Sequence, residues 1–177
     1  MKNKKKENNT MDMHLYKKIL LFIFDNMTDY EITFIAHLLK ADAGKEVITI
    51  SYEDKFIKGT SGLLYKPDKL VKDVLNDDVE GLIICGAGTF FLATAGVLNK
   101  VSYTTPITRW TEKHVEVFGD GDPFPRENYM EKRVVTDKNV ITALGTAFFD
   151  FAVEICDWLQ LFESEEDKNR FIKLYKG

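Results

Sequence analysis

Cysteine is nearly absent. Cys85 and Cys156 are the only two in 177 residues, too few for a secreted disulfide framework, and both sit in strongly apolar stretches, so neither reads as a staple. Proline is also scarce, with four residues against 13 phenylalanines and 45% hydrophobic residues overall. That composition excludes a disordered or low-complexity chain and fits a packed core. Long apolar runs are missing too. The stretch from Ile19 to Phe24 stops at Asp25, far below the roughly 20 residues a membrane helix needs. It is also too short for a signal-peptide core and lacks a small-residue cleavage site after it. No span is predicted, and a cytoplasmic protein is. The net charge is only −4. The one concentrated basic run, Lys2, Lys4, Lys5 and Lys6, lies in a polar N-terminal tail, so a nucleic-acid binder is not expected. The length supports one core, hence a tail over 1–16 and a single domain over 17–177.

Within that domain the pattern alternates. Lys18 to Phe24 is a short continuous apolar run, the mark of a strand buried on both faces. Asp29 to Ala41 puts apolar residues near helical spacing, with Thr28 or Asp29 placed to cap the start and Gly44 to end it. Val47 to Tyr52 reads as a second strand. Gly59, Gly62 and Pro67 punctuate a hairpin before a short amphipathic segment, Asp68 to Leu75. Gly81 to Cys85 is a third buried strand, running straight into Gly86-Ala87-Gly88 and an apolar helix over Thr89 to Leu98. Val101 to Thr105 continues as a strand. Arg133 to Thr136 and Val140 to Ala143 pair through a turn, followed by helices over Ala147 to Gln160 and Glu163 to Tyr175. Such alternation predicts an α/β fold, a mostly parallel sheet with helices on both faces and a ligand site beyond the carboxyl ends of the strands.

A cysteine closing a buried strand, followed by small residues and a helix, sits on a sharp strand-to-helix turn, a nucleophile elbow. The helix start offers free N–H groups, with Gly86 the nameable oxyanion donor, and its positive end favours thiolate, so Cys85 is expected to be acidic. A buried structural cysteine that merely begins a helix is the alternative. Glu31 opens the first helix directly after the first strand, which in a parallel sheet points it to the same rim. A half-buried carboxyl there has a raised pKa and can donate a hydrogen bond to the thiolate. The helix dipole alone also favours an acid in a first turn.

These residues carry a resemblance. Asp29-Tyr30-Glu31 after an apolar strand, then Ile84-Cys85-Gly86-Ala87-Gly88 leading through Thr89 to Leu98, resemble the PfpI/DJ-1 superfamily, and so do Arg133 to Ala143 and the helix through Phe151 and Ala152. The resemblance spans roughly residues 17 to 162. It implies a flavodoxin-like three-layer sandwich of the class I glutamine amidotransferase type, a homodimer, a cysteine in a strained backbone conformation and a glutamate hydrogen-bonded to it. The activities it implies are those of intracellular proteases or amidases, glyoxalases, deglycases, chaperones and oxidation sensors.

Two departures stand out. In relatives one strand ends in proline-glycine-glycine, a helix follows, and only the next strand carries the cysteine. Here Leu82-Ile83-Ile84 serves as both strands, so a strand-and-helix unit of about 30 residues has no counterpart; its removal would open the core, so either a segment is absent from this sequence or the protein is truly shortened. The second concerns the histidine that relatives place soon after the cysteine. Cys85 is followed by Gly86, and Val101 to Thr105 continues into Pro106. His114 is a weak substitute, better read as a surface residue, and His37 and His14 receive no role. Cys156 reads as core, and Trp158, Leu159, Leu161 and Phe162 cover the sheet or a partner subunit. Asp120, Asp122 and Glu127 only loosely resemble a metal loop, and a mobile flap is the better reading. No metal or cofactor is expected.

Three functions fit. The first is a cysteine hydrolase acting on small amides or glyoxal adducts, with Cys85 as nucleophile and Glu31 as proton shuttle. The second is a non-hydrolytic redox or stress protein, chaperone-like, whose Cys85 is reversibly oxidised. The third is an inactive interaction scaffold. The partner is accordingly a small-molecule substrate or oxidant.

Overall fold

The computed structural model describes residues 18–177; the tail expected over 1–16 lies outside them. Four parallel strands make the central sheet: β1 (Lys18–Phe22), β2 (Glu46–Ser51), β5 (Lys69–Leu70) and β6 (Val79–Ile84), in the order β5-β2-β1-β6. β1 is central because both its faces are apolar. Ile19, Leu21 and Ile23 point into one core with Ile32, Ile35 and Leu39 of the following helix and Ala152 and Ile155 of a later one. Leu20 and Phe22 point the other way, onto Ile48, Ile50 and Val74, with Phe91 packed against them. This alternation gives a sheet covered on both faces, the mostly parallel α/β architecture expected.

Helix α1 (Tyr30–His37) leaves β1 through a turn and tightens into a π-helical turn over Leu38–Asp42. Gly44 then ends the segment at φ +64°, a left-handed conformation natural to glycine. The side-chain cap expected from Thr28 or Asp29 is not made. Asp29 instead reaches across to the antiparallel hairpin of β3 (Ile57–Lys58) and β4 (Leu64–Tyr65), accepting hydrogen bonds from Ser61 and, at 2.9 Å, from the Tyr65 hydroxyl. Of the amphipathic segment over Asp68 to Leu75, only β5 and a 3₁₀ turn over Val71–Asp73 are formed.

After β6 a 3₁₀ turn over Gly86–Gly88 leads into α2 (Thr89–Thr94), shorter than expected because Gly96 turns left-handed at φ +71°. The strand expected over Val101 to Thr105 does not join the sheet, and only Tyr103 forms a bridge, to Tyr129. Side chains take its main-chain donors instead: Ser102 N–H gives to Asp137 and Thr104 N–H to the Thr142 hydroxyl. α3 (Glu112–Phe118) follows. The Gly119–Pro125 loop is pinned, not open: Phe124 is buried, and Asp122 accepts from the Phe124 N–H and from Arg126. Strands β7 (Val134–Asp137) and β8 (Val140–Ala143) form a separate hairpin. Then come α4 (Phe148–Trp158), packed on α1 through Phe34, Phe148 and Phe149, and α5 (Glu165–Lys176).

The sheet ends at β6. β6 pairs only with β1 among the described residues, and Leu82 on it is 53% exposed. A cavity of about 380 Å³ runs along its free edge toward β8 and α4, lined by Leu82, Leu92, Val140, Phe151 and Trp158 among others. No helix among the described residues is long and apolar enough to cross a membrane.

Candidate active site

Two strand ends meet at one rim. β1 runs parallel to β6, with Phe22 opposite Ile84, so the segment after β1 that opens α1 and the segment after β6 that begins at Cys85 emerge side by side. Glu31 and Cys85 are both buried there, at 8% and 2% exposure. They line a shared cavity of about 70 Å³ with Gly86, Thr89, Ile141 to Leu144 and Phe148. The sequence placed both at this rim, and the structure brings them together.

The contact between them runs through the main chain. The Gly86 N–H donates to Oε2 of Glu31, so the amide expected to serve an oxyanion is held by the carboxylate. Burial pushes the Glu31 pKa up, and the Gly86 hydrogen bond opposes that only in part. A carboxyl raised in this way can exchange a proton nearer neutrality.

Cys85 departs from expectation in two respects. Its backbone is ordinary extended chain, φ −63° and ψ 167°, without the strain the resemblance implied. Extended chain enters the Gly86–Gly88 turn directly, and no left-handed residue is needed at the bend. Its thiol is also not acidic. Burial pushes the pKa up; main-chain amides of Thr28, Ala87 and Gly88 facing the sulfur pull the other way, and the negative charge of Glu31 adds to the rise. The three-residue turn supplies amides but too little helix dipole to offset burial.

His114 is not part of the site. It closes a capping box with Thr111 at the start of α3 and stacks on Trp110 at 5.0 Å between ring centroids, and it does not line the Cys85 cavity. Cys156 is core on α4, as expected, its thiol pushed up to about 11 by burial. The sequence reading missed the β8–α4 turn, Ala143 to Gly145, which closes the cavity over Glu31. A glycine just before a helix start was its only signal.

Comparison with known proteins bears on the fold. The DJ-1/PfpI family profile matches residues 17–89. A Bacillus subtilis protein named as the uncharacterized protease YoaZ is 28% identical over 184 residues, covering 82% of this chain and 85% of the relative. The DJ-1 superfamily protein Atu0886 from Agrobacterium tumefaciens has the same fold, with a TM-score of 0.71 at 21% identity over 90% of this chain and 100% of that one. The thiJ/pfpI family protein from Bacillus anthracis is similar, at 0.70 and 23% over 89% of each chain. Sequence profile, a relative aligned over most of both chains and solved folds point the same way: the chain is similar to the DJ-1/PfpI superfamily and shares its fold.

Proposed function

We propose that the protein is a cysteine hydrolase-type enzyme in which Cys85 attacks a small carbonyl compound, an amide, an ester or a glyoxal, and Glu31 moves the proton. The single observation that carries this reading is the shared cavity. A buried thiol and a buried carboxyl with a raised pKa face the same 70 Å³ space, well below the roughly 300 Å³ at which pockets for drug-sized ligands begin. The reacting end of the substrate must therefore be small.

The raised thiol pKa calls for activation by a base when substrate is present. The Cys85 thiol gives its proton to the Glu31 carboxylate, the sulfur pair forms the bond to the carbonyl carbon, and the carbonyl π pair moves onto oxygen. Protonated Glu31 is a weaker acceptor, so the Gly86 N–H is released to the new oxyanion. Glu31 then returns the proton to a departing amine or alcohol; for a glyoxal it protonates the oxyanion and then moves the carbinol C–H proton to the neighbouring carbon, which turns the hemithioacetal into the thioester of a hydroxy acid. Water attacking a thioester intermediate passes its proton through Glu31 to sulfur and frees the acid. No histidine is required in this cycle.

The amides of Thr28, Ala87 and Gly88 around the sulfur favour a second reading, in which Cys85 is oxidised by a peroxide to the sulfenate and these donors hold the charge. The test is turnover of a small amide, a small ester and methylglyoxal by the native protein, Cys85→Ser and Glu31→Gln. The hydrolase reading requires measurable loss of one substrate, abolished by the first variant and cut at least tenfold by the second. Native protein that consumes none of them, yet gains a single oxygen at Cys85 with peroxide, replaces it with the redox reading.

A further inference from the structure

Two glycines from distant parts of the chain flank the Glu31 carboxylate. A methyl group built on Gly145 would overlap Oε1 of Glu31, and one on Gly86 would come within 3.0 Å of Oε2. Neither glycine has the positive φ that side chains avoid, so the backbone itself does not demand glycine at either place. What demands it is the space the carboxylate occupies. Gly145 cannot easily step aside. It sits in the turn between β8 and α4, where Leu144 N–H donates to the Arg133 carbonyl at 2.9 Å, Arg133 donates to the Thr146 carbonyl at 3.0 Å, and Ala147 N–H donates to the Leu144 carbonyl at 2.8 Å. Glu31 is fixed from below by α1, whose Ile32 and Ile35 are buried in the main core.

We infer that Gly145 is a positioning residue: its bare Cα and that of Gly86 form a slot that holds the Glu31 carboxylate on the Gly86 amide, beside Cys85. With a side chain at 145, the turn stays and the carboxylate swings out, giving up the Gly86 N–H. The inference rests on the Glu31–Cys85 reading of the site, but it concerns a property of the thiol measurable without any substrate.

The experiment is a double-mutant cycle read on Cys85 itself. Iodoacetamide labelling is followed by intact mass from pH 5 to 9 for the native protein, Gly145→Ala, Glu31→Ala and the double variant, with a melting temperature for each. Gly145→Ala is expected to move the labelling profile to lower pH, toward that of Glu31→Ala, with severalfold faster labelling at pH 7, because the carboxylate no longer opposes the thiolate. In the Glu31→Ala background the same substitution is expected to change neither profile nor melting temperature. Gly59→Ala is the control: its methyl would overlap Asp29 in the hairpin, so it should lower the melting temperature and leave the profile in place. An unmoved profile for Gly145→Ala, or an equal movement in both backgrounds, overturns the inference. Should Gly145→Ala be too unstable to titrate, recovery of the melting temperature in the double variant supports the slot, and no recovery overturns it. Absence of turnover in all four proteins would refute the hydrolase reading without touching this result.

Discussion

Glu31 is the residue on which chemistry and stability meet. Its pKa is raised chiefly by burial, so between its unfolded and folded values the native state binds the extra proton, and stability falls as pH rises through that window. Glu31→Gln removes this penalty. The variant is expected to gain stability over the native protein at pH 7 and to lose that gain as pH falls toward 4.5, the ordinary carboxyl value, as read by urea melts at several pH values. Equal stability differences at pH 4 and pH 7 would mean that the carboxyl is not held in a burial-raised state. The residue's presence at the rim was legible from its place after β1. The hydrogen bond to the Gly86 amide was not, because it depends on how far the turn after β6 advances, and local sequence does not specify that distance. The acidic thiol was misread for a related reason: the favourable amides were countable in the sequence, while the depth of burial opposing them was not.

At the scale of elements, the apolar faces decided most of what could be foreseen. β1, β2, α1 and α4 each carry a run or stripe that fits one packing arrangement, and the β7–β8 hairpin was marked by its turn residues. Ile35, fully buried on α1, is expected to cost about 2–5 kcal/mol when cut to alanine. Leu82, on the free edge of β6, should tolerate lysine within about 0.5 kcal/mol, and the charge should lower self-association by blunting an exposed edge. Denaturant melts and light scattering check the pair, and a large destabilisation by Leu82→Lys would show that the edge is covered in solution. Lys45 and Glu80 form an ion pair of 2.9 Å across β1, with side chains 8% and 12% exposed. Lys45→Met leaves Glu80 nearly buried without its cation and should cost about 3–5 kcal/mol, while adding Glu80→Leu should recover much of it. What the sequence did not reveal was which segments fail to pair. Val101 to Thr105 has strand-like residues, yet Asp137 and Thr142 take the donors a ladder would use, a long-range competition no local pattern records.

For the whole molecule, the two layers share β1, so the domain should unfold as one cooperative unit. The sheet ends at β6, directly under the site, and this one strand both pairs with β1 and leads into Cys85. This arrangement sets Glu31 against the Cys85 thiol, where its charge adds to the rise that burial causes. The most direct test is the pH dependence of Cys85 alkylation, read by intact mass, in native protein and Glu31→Gln, with Cys156, pushed up to about 11, remaining unlabelled below pH 9. The native thiolate is expected to form above the ordinary cysteine range and Glu31→Gln to move it downward, since the variant removes the neighbouring negative charge. Superimposable profiles for the two proteins would contradict it.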